Sequence, residues 1–299
     1  MNPFLDWCFK YLFGTEENKP NLIGFLNLML MPQSPIVDVE FMNNESLPSS
    51  PEIKECVFDI VCKDQNGERY LIEVQNGKMI EIKDRIIYYT CRLMDRMGKR
   101  GSGWNYSDIK RVYTICLMNF TFESNPKLRR DIQLYDIDDN TLFSDKINII
   151  LLQLPCLKAE SLGECKANYE LLLYLLKEMQ AGMKTIDELK QEIANTTLPQ
   201  ETKEVFYRVL DTADVGSLSE KDQMRYESAL KNYLDTMSCI EYATVKVREE
   251  GKAEGLAEGK AEGESMAKAS IAKSMKAEGM DAAVISRCTG LSLEQIEAL

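Results

Sequence analysis

The chain contains 299 residues, of which 44% are hydrophobic and 28% are charged, and its formal net charge is −12. This length and apolar content allow one large or two modest domains with a buried core. Histidine is absent, which excludes imidazole bases and Ser-His-Asp triads, and the nine cysteines include no CxxC pair, so a structural zinc site is not expected. Neither a membrane-length apolar run nor a signal-peptide pattern occurs, and we expect a cytoplasmic protein without a membrane segment.

The charge is unevenly distributed along the chain. Residues 1–75 hold 5 basic and 12 acidic side chains, residues 76–130 hold 12 and 5, and residues 131–299 hold 19 and 31. The middle segment is therefore basic although the whole chain is acidic. Because phosphate binding depends on local positive charge, the acidic total does not exclude DNA as a partner.

The first part of the chain predicts two helices, a strand and a loop. The segment PFLDWCFKYLFG has the pattern of an amphipathic helix that ends at Gly14, and a second helix is predicted from Leu22 to Met31, before Pro32. Ile36–Phe41 is typical of a strand. Asn43–Pro51, which is rich in Asn, Ser and Pro, predicts a surface loop.

Residues 56–75, CVFDIVCKDQNGERYLIEVQ, predict a β-hairpin, because two runs rich in β-branched and apolar residues flank the turn-forming sequence DQNG. With a three-residue QNG loop and its glycine in the left-handed region, Asp59 lies opposite Glu73. Side chains alternate along a strand, so Gln75 then shares the face of these two carboxylates. A loop of two or four residues would shift the register and separate them.

Two facing carboxylates predict a cation site. Opposed like charges destabilise a strand pair by roughly 0.2 to 1 kcal/mol unless a positive charge lies between them. Mg²⁺ prefers carboxylate and carbonyl oxygens, and it is the natural occupant of such a site. The alternative is a purely structural hairpin whose carboxylates face solvent.

A helix is predicted after the hairpin, from about Met79 to Met97, because Asn76-Gly77 breaks the strand. Its apolar stripe is Ile82, Ile86, Leu93 and Met97. A row of basic and aromatic side chains lies along the edge of that stripe: Arg85, Tyr89, Arg92 and Arg96. This row is either a set of contacts for a DNA backbone or a solvated charged face.

The remaining chain predicts a loop at Lys99–Tyr106, further strands and then helices throughout. The predicted strands are Arg111–Asn119, Asp131–Ile137 and Ile147–Leu154, and the predicted helices are Asn168–Gln180, Thr185–Asn195, Pro199–Leu210 and Ser219–Met237. From Gly251 the sequence repeats glycine every four residues among Ala, Glu and Lys, which predicts a frayed or partner-stabilised helix, or a flexible linker. The last 19 residues predict two short helices around Thr289-Gly290. A helix-turn-helix DNA reader is conceivable there, but the second helix is short and has no basic residue, which disfavours it.

Three sets of residues together resemble one nuclease family. Asp59 and Glu73-Val74-Gln75, separated by thirteen residues, resemble the D…ExK signature of the PD-(D/E)xK nuclease fold, in the variant with Gln in place of Lys. This variant is similar to that of the recombination-promoting nuclease and transposase family, the YhgA-like transposases. Two flanking matches support it, namely the R…Y…R pattern above and the D..FK.LFG opening formed by Asp6, Phe9, Lys10, Leu12, Phe13 and Gly14.

The resemblance implies an α/β (α+β) fold with a PD-(D/E)xK restriction-endonuclease-like core, a mixed central sheet flanked by helices, and an all-helical C-terminal part. We expect a nuclease-like domain at 1–157, a helical bundle at 158–248, a repeat helix or linker at 249–280 and a helical hairpin at 281–299. The helical C-terminal region is a possible contact between copies of the chain.

For function, the resemblance implies an Mg²⁺- or Mn²⁺-dependent DNA endonuclease linked to recombination or mobile elements. Asp59, Glu73 and the carbonyl of Val74 are then the metal ligands, with Gln75 and Lys10 as further catalytic residues. In the wider fold the first helix often supplies another acidic ligand, and the sequence does not choose among Asp6, Glu16 and Glu17. The alternative is an inactive nuclease fold that serves as a DNA-binding or protein-interaction scaffold.

Overall fold

The computed structural model describes residues 1–42, 45–46, 56–57, 59–98, 105–122 and 124–299. Most of the two predicted loops, Asn43–Pro51 and Lys99–Tyr106, lies outside the described residues. The chain forms two compact units, Met1–Lys231 and Asn232–Leu299.

A mixed six-stranded sheet forms the centre of the first unit, in the order β1-β4-β5-β6-β8-β7. Strands β5, β6 and β8 run parallel to one another, whereas β1/β4, β4/β5 and β7/β8 are antiparallel pairs. A separate antiparallel pair, β2 and β3, lies outside this sheet. The strands are β1 (Val39–Phe41), β2 (Glu45–Ser46), β3 (Cys56–Val57), β4 (Ile60–Asp64), β5 (Arg69–Gln75), β6 (Val112–Met118), β7 (Arg129–Tyr135) and β8 (Leu142–Gln153).

The β4–β5 hairpin has the predicted three-residue loop. Gly67 has φ +79°, the left-handed conformation that glycine adopts without a steric penalty. The carboxylate of Asp64 accepts hydrogen bonds from the N–H groups of Asn66 and Glu68, each at 2.9 Å, which holds the turn. Ile60 consequently pairs with Ile72, and the predicted register is confirmed.

Helices cover both faces of the sheet because the strands are apolar on both sides. One face packs against α3 (Ile82–Asp95), and the other packs against α1 (Asp6–Phe13), α2 (Lys19–Leu30), α4 (Asn168–Ala181), α5 (Ile186–Ala194) and α6 (Gln200–Ala213). The main core therefore contains both sheet and helix residues, among them Phe25, Ile72 and Phe206. This architecture confirms the predicted α/β fold with a mixed sheet flanked by helices.

Several predicted boundaries were wrong. The first strand of the hairpin starts at Ile60 rather than Cys56, and β7 covers Arg129–Tyr135 rather than Asp131–Ile137. Strand β8 starts at Leu142 rather than Ile147, because its first residues extend as an exposed arm and include the polar Ser144, Asp145 and Lys146, which mask a strand pattern. Helix α7 runs without a break from Glu220 to Ala277 and so includes the glycine repeats.

The second unit contains the C-terminal part of α7, followed by α8 (Ala282–Thr289) and α9 (Leu293–Glu297). Ala272, Ile285 and Ile296 form its small core. Gly290, with φ +74°, ends α8 in the left-handed conformation expected at a helix C-terminus. Among the described residues, no helix combines the length and apolarity that a membrane span requires.

Candidate metal and nuclease site

Asp59 and Glu73 meet at the end of the β4–β5 hairpin. Asp59 immediately precedes β4, and Glu73 lies in β5 at the position that the register places opposite it. The backbone N–H of Val74 donates a hydrogen bond of 2.8 Å to Oδ2 of Asp59. The predicted pair of facing carboxylates is therefore present, and a backbone contact fixes it.

Glu73 is almost completely buried, with 3% of its surface exposed. Burial raises the pKa of its carboxyl to about 8; the neighbouring Asp59 also raises it, and Arg85 opposes the shift. Its Oε1 has no hydrogen-bond partner among the described residues. A buried acid oxygen without a hydrogen bond destabilises the fold, so a role in ligand binding would explain why Oε1 has this position.

Arg85 and Gln75 are the polar neighbours of Glu73. The guanidinium of Arg85 lies 3.5 Å from Oε2 of Glu73, and the amide of Gln75 lies 3.4 Å from the same atom. The guanidinium also lies over the ring of Tyr89, 4.9 Å from its centroid. A cavity of about 10 Å³ is enclosed among these side chains, close to the lower limit for one water molecule.

Asp59 is the more accessible carboxylate, and α1 brings Lys10 and Asp6 to it. Burial raises the pKa of Asp59 to about 6, although the hydrogen bond from Val74 opposes this. Nζ of Lys10 lies 2.6 Å from Asp6 and 3.6 Å from Asp59. Burial lowers the pKa of Lys10, but the two carboxylates outweigh it and hold that pKa above its ordinary value.

The structure distinguishes the three acids of the N-terminal segment by position. Asp6 lies near enough to Asp59 to raise its pKa. Glu16 pairs instead with Lys19 of α2, at 2.9 Å, and Glu17 lies near Tyr11, whose hydroxyl pKa is raised by burial and also by this acid. Asp6 is therefore the acid that the first helix brings to this site.

The predicted row on α3 is only partly brought to the carboxylates. Arg85 and Tyr89 lie at Glu73, whereas Arg92 contacts Asp95 of the same helix at 3.4 Å. The side chain of Arg69, which the sequence did not single out, donates to the carbonyls of Leu93 and Arg96 at the end of α3. The DNA-contact role of Arg85, Tyr89, Arg92 and Arg96 stays a prediction.

Two neighbours of the site were missed by the sequence analysis. Asn76 donates to the carbonyl of Phe4, which ties the end of β5 to the segment before α1. Cys116 of β6 is the register partner of Glu73 in β5, and burial raises the pKa of its thiol. The sequence marked Asn76 only as a strand breaker, and no local signal relates residue 116 to residue 73.

The residues present fit a small divalent cation. Asp59 and Glu73 offer carboxylate oxygens, one of which lacks a partner, and the carbonyl of Val74 belongs to the residue that directly follows Glu73. Mg²⁺ is commonly held by one or two carboxylates while it retains several waters. Among the residues that the structure describes, no group of three or more His, Cys, Asp or Glu side chains is arranged for a metal, so the protein itself supplies few ligands.

Comparison with known families places this geometry in context. The family model described as PD-(D/E)XK nuclease family transposase matches residues 3–243. The chain belongs to this family. No curated protein and no solved structure matches the chain.

Membership in the PD-(D/E)XK nuclease family transposases confirms the resemblance seen in the sequence. It supports a nuclease role connected with mobile elements, and it implies DNA as the substrate. Nucleases of this kind generally use divalent metal ions. The matched span includes Lys10, Asp59, Glu73 and Gln75, as well as the α3 row.

Proposed function

We propose that this PD-(D/E)XK nuclease family transposase is an Mg²⁺- or Mn²⁺-dependent DNA endonuclease that acts in recombination or transposition. Asp59, Glu73 and the carbonyl of Val74 are its metal ligands. The observation that carries the proposal is the pairing of Asp59 with Glu73 on neighbouring strands, with Oε1 of Glu73 left unpartnered.

Each polar side chain has a separate task in this proposal. A bound divalent cation lowers the pKa of water and neutralises charge on the attacked phosphate. Glu73 and Asp59 must both be ionised to bind a cation, so a carboxyl that is still protonated loses its proton on binding. Gln75 positions a water or a phosphate oxygen through its amide, and Lys10 holds its ammonium group beside Asp59 for a phosphate oxygen.

Arg85 has two positions in the working enzyme. Its guanidinium lies 3.5 Å from Oε2 of Glu73, where its positive charge partly compensates the negative charge of the ionised carboxylate. With a divalent cation held by Glu73, the guanidinium of Arg85 would be repelled, and this half-buried side chain would contact the DNA backbone instead. The basic surplus of residues 76–130 supports DNA on this side of the sheet.

The test is nicking of supercoiled plasmid in Mg²⁺ and in Mn²⁺. Glu73→Gln and Asp59→Asn keep the size of each side chain and remove its charge. Glu40→Gln is the matched control, because Glu40 is an exposed acid on β1 that pairs with Lys63 in the same sheet. We expect nicking by the wild type and the control, and a loss of at least about 100-fold in both site variants, as expected for removal of a metal ligand. Equal nicking by Glu73→Gln and the wild type would falsify the assignment.

A non-catalytic scaffold is the second candidate, and two observations favour it. Gln75 stands where the general D…ExK signature of the nuclease fold has a lysine, and Glu73 is almost completely buried beneath Arg85. Calorimetry separates the two candidates. The nuclease binds Mn²⁺ with a heat that Asp59→Ala abolishes, whereas the scaffold binds DNA in the presence of a chelator and shows no such metal binding.

A further inference from the structure

Strand β7 leaves one edge of the main sheet open. In the part of the chain that the structure describes, β7 pairs with β8 only. Its residues 132–135, Ile-Gln-Leu-Tyr, include no proline or charged side chain, whereas residues 129–131 are all charged. The pairing of β7 with β8 shifts register between Ile132 and Tyr135. The hairpin also exposes a set of large apolar side chains: Ile132, Leu134, Tyr135, Ile137, Leu142 and Phe143. Such a surface is typical of a docking site.

The hydrogen-bonding pattern of β7 shows which backbone groups lie at this edge. The N–H of Gln153 donates to the carbonyl of Leu128 at 2.9 Å, so residue 128 bonds to β8. Bonded and non-bonded pairs alternate in an antiparallel ladder, so residues 130 and 132 also bond to β8. The N–H and C=O groups of residues 129, 131 and 133 therefore point away from β8, toward the open edge.

We propose that β7 pairs antiparallel with β7 of a second copy of this chain, around a two-fold axis at Gln133. In this register Ile132 lies opposite Leu134 of the partner, and the two-fold axis repeats that contact. Arg130 lies opposite Asp136 of the partner, and the two-fold axis repeats this contact as well. The strand is thus complementary to itself in both apolar character and charge, as an isologous contact requires.

Neighbouring registers lack this complementarity. Only every second residue of β7 directs its backbone N–H and C=O groups to the open edge. Alternative registers must therefore pair these same residues, such as 131 and 133, with one another. One step toward the N-terminus places Arg130 opposite Leu134, and one step toward the C-terminus places Ile132 opposite Asp136. Only the register centred on Gln133 matches apolar residues with apolar residues and basic residues with acidic ones.

This contact is independent of the proposed nuclease site. Strands β6 and β8 separate β7 from β5, which carries Glu73. Pairing of two copies joins their sheets into one of twelve strands, with a site in each half. Loss of the contact therefore leaves Asp59 and Glu73 in place, and a failure of this inference is distinguishable from a failure of the proposed function.

Sedimentation of the full chain tests the contact with a proline variant. Asp131→Pro removes an N–H that points to the open edge and breaks no bond to β8, and proline is tolerated at such an edge position. Asp131→Ala is the matched control, because it removes the same carboxylate and its contact with Arg129 but keeps the N–H. We expect a concentration-dependent dimer for the wild type and Asp131→Ala, and a dissociation constant raised at least about tenfold in Asp131→Pro.

A second pair of variants tests the register. Asp136→Lys places a lysine opposite Arg130 of each partner and weakens the dimer, whereas Asp138→Lys makes the same charge change beyond the paired residues and leaves the dimer intact. Amide exchange measured at two protein concentrations gives a local readout, with residues 131 and 133 protected only at the higher one. A wild type that stays monomeric overturns the proposal, and so does a dimer with rapid exchange at both amides.

Discussion

The N–H of Val74 donates to the carboxylate of Asp59 at 2.8 Å, which joins the residue before β4 to the residue after Glu73. The separation of the two acids is consequently set by backbone pairing of the hairpin, and the flexibility of their side chains contributes little. A site held in this way is preorganised, since the ordering of the two carboxylates takes place during folding and not when a ligand binds.

The pH dependence of stability should report the burial of Glu73. The pKa of its carboxyl rises from 4.5 in the unfolded chain to about 8 in the fold, so between these values the folded state holds a proton that the unfolded state has lost. Its contribution is therefore fully present below about pH 4.5 and decreases as the pH rises through about 8. Urea unfolding in a chelator should show a smaller loss of stability between pH 5 and 8 for Glu73→Gln than for the wild type. An identical pH profile in both proteins would contradict a raised pKa of Glu73.

Metal binding should have the opposite pH dependence. Asp59 and Glu73, with pKa values of about 6 and about 8, must lose their protons to act as ligands. The affinity for Mn²⁺ should therefore increase from pH 6 to pH 8 and then level off. Calorimetry in buffers of different ionisation enthalpy measures the protons released. A constant affinity across this range would show that these two groups are not the ligands.

Gln75→Lys should restore the charge of the general D…ExK signature of the nuclease fold. An ammonium group in place of the Gln75 amide, which lies 3.4 Å from Oε2 of Glu73, lowers the pKa of that carboxyl and adds a charge for the phosphate. We expect a nicking rate equal to or above that of the wild type. Gln75→Ala should reduce the rate, because it removes the hydrogen bond without adding a charge. A Gln75→Ala protein as active as the wild type would remove Gln75 from the site.

Lys10→Met should lower the nicking rate with little effect on the fold. Methionine keeps the length of the chain but removes the ammonium group that contacts Asp6 and Asp59. Lys19→Met is the matched control, because Lys19 also pairs with two carboxylates but lies in α2. We expect the rate to fall about 10-fold or more in Lys10→Met only, in the range of a lost charged contact to the phosphate. Equal rates in the two variants would leave Lys10 as a structural lysine.

Gly24→Ala should destabilise the first unit. An added Cβ would lie 2.5 Å from Cγ1 of Val205, where α2 crosses α6 in the core. Overpacking of this kind typically costs about 1 to 3 kcal/mol. Gly251→Ala is the opposite case, because nothing lies within 4 Å of its added Cβ and alanine favours helix α7 by about 1 kcal/mol. Thermal unfolding should show a lower midpoint for Gly24→Ala and no decrease for Gly251→Ala.

The local sequence determined the hairpin and its register. Gly67 supplies the left-handed residue of a three-residue loop, and a fixed loop length fixes which residues face each other. The pairing of Asp59 with Glu73 was predictable for this reason. The helices around the sheet were predictable as well, because apolar periodicity reports a buried face wherever the chain is regular.

The tertiary structure alone decided what surrounds that pair. Asp6 and Lys10 reach Asp59 from α1, and Arg85 covers Glu73 from α3. The sequence left the acid of the first helix open, and it left Arg85 either as a DNA contact or as part of a solvated face. Contacts between residues far apart in sequence depend on how helices pack on the sheet, and no local pattern encodes that. The burial that raises the pKa of Glu73 arises in the same way, because desolvation is a property of the assembled core.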